Sequence, residues 1–570
     1  MLSAAIIDIT SVVYERSSKL FLIIGSYATP NNETPSQGST MTQRQLHLDH
    51  LCLTLPDGRL LLDNLNHSFH AKTTGIVGAN GSGKSLLGQL LAGDRAPSNG
   101  YVRREGHVYV VSQQLEPERF PTVAALAGVE HILQALQRIA EGSLNDHDHT
   151  LAMDQWDCAA RLRAELDLNG LGHLTADTPT HALSGGERQR IALLGAWLSK
   201  ADWLILDEPS NHLDREQQQK LAQQIQRWPN GLVMISHDRT LLELMDEIVE
   251  LSLTGLAVYG GNYSHYVAAR ELEQQAFRAT LQGERTQAKR EQREMAVQME
   301  RQQRRNARGD RNARDGSQTK LITNAQKERS ENSQGKLRLN QQLAREQQQQ
   351  RIADARARCA ADIQRIMLPP ETVVPNGKLV LQLNDLILPF GHVAPISFTL
   401  TGPLRMAITG ANGSGKSTLL QVIAGRLALR AGEVICTLEV GWLDQHAGLE
   451  HPDRTAVQWL HESNPELPEA EARTRLAQLG IDADRVQLQT AQLSGGERLK
   501  TALAALLHAQ RPPQLLLLDE PDNHLDLPSK LALEQMLGQY QGALLVVSHD
   551  DAFIEALGVD QTLHLLRPRP

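Results

Sequence analysis

TTGIVGANGSGKS (73–85) and RMAITGANGSGKS (405–417) decide the fold. Each runs from an apolar strand through G-x-x-x-x-G-K-S into an apolar helix, LLGQLLAG in the first and TLLQVIAG in the second. A glycine-rich turn between a buried strand and a helix N-terminus presents backbone N–H groups that surround phosphates more closely than side chains could. Gly78, Ala79, Asn80, Gly81, Ser82, Gly83, Lys84 and Ser85 are therefore read as one phosphate cradle. Gly410, Ala411, Asn412, Gly413, Ser414, Gly415, Lys416, Ser417 and Thr418 are read as a second. Lys84 and Lys416 reach the β- and γ-phosphates of a nucleotide, while Ser85 and Ser417 face its Mg²⁺. The strand–loop–helix setting predicts an α/β fold.

The two loops belong to an internal repeat. LSGGER occurs at 183–188 and 493–498, LDEP at 206–209 and 518–521, NHLD at 211–214 and 523–526, and SHD at 236–238 and 548–550. Lys84 and Lys416 lie 332 residues apart, as do Gln113 and Gln445; Glu208 and Glu520 lie 312 apart. The constant motif order means a duplicated domain of about 200 residues. The first copy carries 22 more residues between its Gln and its LSGGE. We place them near 128–155, with HILQALQRIAEG as helix and SLNDHDHT as a polar turn.

WLILDE (203–208) and LLLLDE (515–520) each put two carboxylates at the end of an apolar run suited to a sheet covered on both faces. Asp207 and Asp519 would hold Mg²⁺ through water, and Glu208 and Glu520 would polarise the attacking water as general bases. Acids that merely cap strands are the plainer reading, set aside because a phosphate loop lies upstream of each. His237 and His549 follow apolar strands at the same offset, which favours contact with a γ-phosphate over a structural role. In LSGGE, Ser184, Gly185, Gly186 and Glu187, and likewise Ser494, Gly495, Gly496 and Glu497, open a helix and make a second anion site. Since each domain already has one, the second makes sense only if it serves the other domain's nucleotide.

Composition bounds the rest. With 570 residues, 41% hydrophobic and 22% charged, the chain exceeds one core and is not disordered as a whole. No run reaches the ~18 unbroken apolar residues of a membrane helix. Four scattered cysteines fit neither a zinc site nor a disulfide framework and suit a reducing cytosol. The formal charge of −9 hides a division: residues 267–366 hold 22 Lys+Arg against 13 Asp+Glu, leaving the remainder at −18. Helix formers fill about 265–306 and 322–366, either side of ARGDRNARDGSQTK (307–320), which predicts an antiparallel helical hairpin with arms of about 60 Å. The plain reading of such a run is a solvated linker. Its sign and length, between two acidic domains, favour a nucleic-acid contact. Residues 1–40 read as a disordered extension with no signal peptide, and Met41 as a start site.

The full motif set resembles the ATP-binding cassette superfamily, in both copies and along their whole length. The resemblance implies two P-loop NTPase cassettes in tandem, 41–266 and 367–570, joined by the hairpin 267–366 and closing head to tail over two ATP. One site then combines Gly78–Ser85, Gln113, Glu208 and His237 with Ser494–Glu497. The other combines Gly410–Ser417, Gln445, Glu520 and His549 with Ser184–Glu187. Leu86 stands where the second loop has Thr418, and LPDG (55–58) stands where Phe390 would stack on adenine, so site one should hold ATP less tightly. Two cassettes on one chain without a membrane span, with a basic helical linker, are similar to the ABC-F subfamily. That likeness implies a cytoplasmic, monomeric ATPase whose linker meets ribosomal RNA and peptidyl-tRNA. The energy subunit of a transporter and a DNA-associated ATPase are the alternatives.

Overall fold

The structure is a computed structural model. It describes residues 45–314 and 369–566, apart from 71, 253, 445–451, 482 and 524, together with isolated positions between 342 and 352. These all belong to the compact unit Arg44–Pro570. The readings of 1–40 and of Met41 lie outside the described residues, as does Gln445.

Cassette one begins with β1 (Leu46–Thr54), β2 (Leu60–Phe69), β3 (Thr73–Val77), β4 (Asn99–Arg104) and β5 (Val108–Val111), followed by β6 (Trp203–Asp207), β7 (Gly231–Ile235), β8 (Glu247–Ser252) and β9 (Gly255–Gly260). An antiparallel sheet of order β2-β1-β4 covers a second sheet of order β5-β6-β7-β3-β8-β9, parallel except for β9. Cassette two repeats the plan with β10 (Leu379–Ile387), β11 (Ile396–Thr401), β12 (Arg405–Gly410), β13 (Ala431–Cys436), β14 (Val440–Leu443), β15 (Leu515–Asp519), β16 (Ala543–Val547) and β17 (Gln561–Leu565). Its sheets run β11-β10-β13 and β14-β15-β16-β12-β17, the latter wholly parallel.

The apolar runs explain the layers. Successive side chains of a strand point to opposite faces, so a strand buried on both faces must be apolar throughout. In β6, Trp203 and Ile205 join the core beneath the phosphate-loop helix, and Leu204 and Leu206 join the core beneath the Gly185–Leu198 helix. Leu515 and Leu517 of β15 part in the same way from Leu516 and Leu518. Each fully buried leucine contributes about 1.5–3 kcal/mol. This sandwich fixes the C-terminal ends of β3, β6, β12 and β15, where an open α/β sheet binds its ligands.

β9 leads into a single helix, Tyr263–Arg314, of 52 residues, about 78 Å long at 1.5 Å per residue. Its first turns are moored to cassette one. Glu243 accepts from Asn262 Nδ2 (2.7 Å) and from the backbone and hydroxyl of Ser264 (3.0 and 2.7 Å). Arg270 bridges Glu250 on β8 and Glu273 (3.0 and 3.2 Å), and Tyr259 on β9 donates to Glu273. The helix runs eight residues into the stretch expected to break it. Arginine and alanine favour helix, and one interior glycine, Gly309, costs only about 1 kcal/mol. The expected return arm, 322–366, lies outside the described residues except for isolated helical positions.

The insertion near 128–155 also differs from expectation. Glu130–Ala140 is helical as read, but Asp146–Ala152, read as a turn, is a second helix capped by the Asn145 side chain. Its anchor is Asp148, almost fully buried, which takes hydrogen bonds from Arg138 Nη2 (2.6 Å) and Ser143 Oγ (2.8 Å). Those bonds hold the carboxyl down at about 2. A depressed carboxylate stabilises the fold above its unfolded pKa and loses that contribution as pH falls through the folded value. Asp148→Ala should therefore abolish amide protection over 130–152 in hydrogen exchange at neutral pH and leave the two sheets protected. Unchanged protection there would refute the anchor.

Candidate active site at the cassette interface

Each phosphate loop leaves an interior strand of its sheet, β3 in cassette one and β12 in cassette two. Gly78 and Gly410 sit at φ 155° and 150°, and a Cβ there would lie 2.3 Å from the Leu251 carbonyl oxygen and 2.4 Å from that of Leu565. Only glycine lets the loop turn this close to the neighbouring strand. Lys84 Nζ donates to the Gly78 and Ala79 carbonyls (2.9 and 3.0 Å), and Lys416 to those of Gly410 and Ala411 (2.9 and 3.3 Å). Burial lowers both lysines, while nearby carboxylates, Glu208 and Asp207 for the first and Glu520 and Asp519 for the second, oppose that shift. The hydroxyls of Ser82 and Ser414 are buried inside the loops without a partner among the described residues. Orphaned donors around an N-terminus and a lysine suit a polyanion.

The carboxylates fall where the spacing puts them. Burial raises Asp207 against the opposing hydrogen bond of Ser85, and it raises Asp519 to about 6 although Ser417 Oγ donates to it at 3.1 Å. Glu208 and Glu520 both adopt left-handed backbone, φ 50° and 49°, with their N–H groups held by the Ile235 and Val547 carbonyls of the adjacent strands. That conformation is uncommon for a residue with a Cβ and aims both side chains alike. Burial, then the Asp207 charge, pushes Glu208 up to about 8. His237 Nε2 lies 3.5 Å from Glu208 Oε1, and His549 Nε2 lies 3.5 Å from Glu520 Oε1. Burial pushes His237 down to about 3, so its ring is neutral and the contact is polar, not an ion pair. Neither ring nitrogen of His237 finds a hydrogen-bond partner among the described residues.

Two cassettes build each site. Ser184 and Ser494 cap their helices in a reciprocal box with Glu187 and Glu497, each serine hydroxyl donating to the glutamate (2.7 and 2.9 Å). Gly186 packs on His212, whose carbonyl accepts from Asn412 Nδ2 of the opposite loop (3.1 Å). Gly496 packs on Ser529, whose N–H is capped by Asp526 Oδ1 (2.9 Å). The other oxygen of Asp526 accepts from Asn80 N–H of the first loop at 2.6 Å. Asp214 does the same in reverse, capping Gln217 N–H with one oxygen (3.1 Å) and taking Asn412 N–H with the other (3.4 Å). A cavity of about 1010 Å³ joins these parts and is lined among others by Lys84, Gln113, Glu187, Glu208, His237 and Asn412.

Asp214 and Asp526 are the functional residues that sequence reasoning missed. NHLD was visible as a repeat, and an Asp opening a helix reads only as a cap. Asp526→Ala should lower stability by about 1 kcal/mol through the lost cap and should also slow ATP turnover; Asp526→Asn, which keeps one oxygen to cap Ser529 but sets an NH2 group against the Asn80 N–H, should restore the helix and leave turnover slow. If the alanine variant turned over at the parent rate, the bridge to Asn80 would have no part in assembling the site.

The family model described as ABC transporter matches residues 62–211 and 393–523, covering both phosphate loops. Among curated relatives, the probable ATP-binding protein YheS of Escherichia coli K12 is 28% identical over 534 residues, 90% of this chain and 77% of that protein. The energy-dependent translational throttle protein EttA of Mycobacterium tuberculosis is 29% identical over 540 residues, 87% of each chain. Among solved structures, the archaeal ribosome recycling factor aABCE1 aligns over 90% of this chain and 87% of its own, at TM-score 0.54 and 19% identity, a likeness of fold alone. No helix among the described residues is long and apolar enough to cross a membrane. The chain therefore carries two ATP-binding cassettes of an ABC ATPase, one in each half, and the curated relatives that it matches along most of their length are ABC-F proteins.

Proposed function

We propose that ATP closes the two cassettes over a pair of composite sites, that the closed form binds the ribosome in the cytoplasm through the basic linker, and that hydrolysis releases it. The observation that carries this reading is the reciprocal contact of Asp214 and Asp526 with the opposite phosphate loops, because each site is then complete only when the cassettes meet. Lys84 and Lys416, with the loop amides, hold the β- and γ-phosphates. Ser85 with Asp207, and Ser417 with Asp519, fit a Mg²⁺: Asp207 Oδ1 is buried without a partner among the described residues, and Ser417 and Asp519 already stand together. Held by these residues, Mg²⁺ would supply positive charge that offsets the charge of the phosphates. Glu208 and Glu520 take the proton of the attacking water. The neutral ring of His237, and His549 at the matching position, meet the γ-phosphate, while Gln113 and its counterpart Gln445 orient the water.

The linker reading rests on charge and reach. Arg285, Lys289, Arg290, Arg293 and Arg301 are exposed along the Tyr263–Arg314 helix, and guanidinium groups pair with phosphate and stack on bases. A helix moored to cassette one by Glu243 and Arg270 moves as that cassette moves. The relative named a translational throttle supports a partner in translation; ribosomal RNA and peptidyl-tRNA are the partners this reading gives the basic helix, on a single chain pairing its own two cassettes.

Glu208→Gln with Glu520→Gln should keep ATP binding and lower turnover by about 10²–10⁴-fold. A base must be ionised to act, and Glu208 is raised to about 8, so turnover of the parent should climb as pH rises through that value; parent-like turnover in the double variant would remove these glutamates from the mechanism. Replacing Arg285, Arg290, Arg293 and Arg301 by Gln should preserve basal ATPase activity and weaken ribosome binding by the trapped form. For every arginine that meets a phosphate, its removal should flatten the salt dependence by about 0.7–0.9 log units. Binding unchanged across a salt series would make the helix a spacer.

A further inference from the structure

The bridges from Asp526 to Asn80 and from Asp214 to Asn412 use residues that both cassettes possess, so they would form equally well between two first cassettes or two second cassettes of different chains. Something else must choose. We propose that an asymmetric set of charges at the interface admits cassette one against cassette two and opposes either cassette against its own kind.

Two ion pairs cross the interface. Arg239 Nη2 of cassette one lies 2.7 Å from Glu534 Oε1 of cassette two, with the side chains only 13% and 9% exposed. Arg215 Nη2 lies 2.8 Å from Asp551 Oδ2, both more than half exposed. The 312-residue offset of the motifs makes Asp551 the counterpart of Arg239, Leu527 that of Arg215, and Ala222 that of Glu534. Cassette one therefore offers two cations where cassette two offers two anions. Pairing two first cassettes would set Arg239 against Ala222 and Arg215, a cation facing a cation without the carboxylates of Glu534 and Asp551, with Asp238, the counterpart of Asp550, as the acid left to Arg239. Pairing two second cassettes would set Asp551 against Leu527 and Glu534, an acid facing an acid. Like charges brought together in a dehydrated interface reject a wrong partner more strongly than the correct pair attracts.

Lys530 completes the set. It is 7% exposed, lies 3.0 Å from Asp550, and offsets the charges of Asp522 in its own cassette and Asp238 across the interface. Its counterpart is Gln218, so two first cassettes would lack the lysine that acts on Asp238 across the native interface. The linker then makes the second cassette of the same chain the nearest permitted partner. Without such a rule, like cassettes of different chains would compete for the same faces.

The test exchanges charges in the full chain. Arg215→Glu with Arg239→Glu makes both faces acidic, and Glu534→Arg with Asp551→Arg makes both basic. Either double variant should lose ATPase turnover by about tenfold or more. The chain with all four changes should recover to within about threefold, the remaining deficit reflecting interactions outside the exchanged pairs, such as Arg239 with the Tyr263 hydroxyl. An equimolar mixture of the acidic and basic chains should regain turnover and sediment as a two-chain assembly, since each cassette then finds its complement only on the other chain. Parent turnover in either double variant, a fourfold variant as inactive as the doubles, or a mixture that stays inactive and single-chain would each overturn the proposal. Should a double variant fail to fold, the half-exposed pair decides: Arg215→Glu alone should lower turnover in a salt-sensitive way, and Arg215→Glu with Asp551→Arg should restore it. No restoration would refute the code.

Discussion

One oxygen of Asp526 holds the first turn of its own helix and the other holds the phosphate loop of the opposite cassette. Most of the site depends on that division of a single carboxylate, mirrored by Asp214. A helix N-terminus leaves N–H groups without partners, and an aspartate cap meets one of them whether or not the cassettes touch. The second oxygen has no such local use. Satisfying it requires the other cassette, and the contact brings the Gly495–Leu507 helix, which packs on the same turn, towards the opposite loop. Hydrogen bonds to the side chain of Ser529 and to the backbone of Asn80 hold the Asp526 carboxyl below its ordinary value although burial acts the other way. It stays charged at the pH where the sites must form.

The strained glutamates follow from the same architecture. Glu208 and Glu520 stand one residue past fully buried strands, with their amides tied to the neighbouring strand. A residue so held cannot relax from φ near 50° without breaking a ladder bond. The rigid sheet thus maintains a left-handed backbone that a loop would abandon, and both side chains face the nucleotide pocket at matching positions beside a histidine.

The strands, the two phosphate loops, the paired carboxylates and the duplicated order could be read from the chain because each is a local pattern: an apolar run, a spacing, a glycine where only glycine fits. Asp214 and Asp526 escaped because their second role is relational. The partner of Asp526 lies 446 residues away, and no property of NHLD alone announces it. The helix at Asp146–Ala152 escaped for a related reason. DHDHT has poor helix propensity, and the hydrogen bonds that buried Asp148 takes from Arg138, ten residues earlier, outweigh it. The linker helix erred in the opposite direction: arginine and alanine around Gly309 carried the helix past the point where glycine and aspartate suggested a break.

The asymmetries between the cassettes share one direction. Leu86 packs against the apolar core in place of the hydroxyl of Thr418, and Leu55, Arg59 and Leu61 line site one in the region where cassette two presents Phe390, 70% exposed beside its phosphate loop. Site one therefore lacks the one hydroxyl and the one aromatic ring that cassette two has at these positions. Across the interface, however, it gains more from its partner, since Lys530 acts on Glu208 and His237 where Gln218 would supply no charge to the second site. A site weaker in its own contacts and stronger in borrowed ones is completed by closure more than by binding. The linker helix springs from that same cassette, with Arg239 joining its first residue, Tyr263, to the segment that follows His237. Closure over site one is thus the step best placed to be felt by the linker.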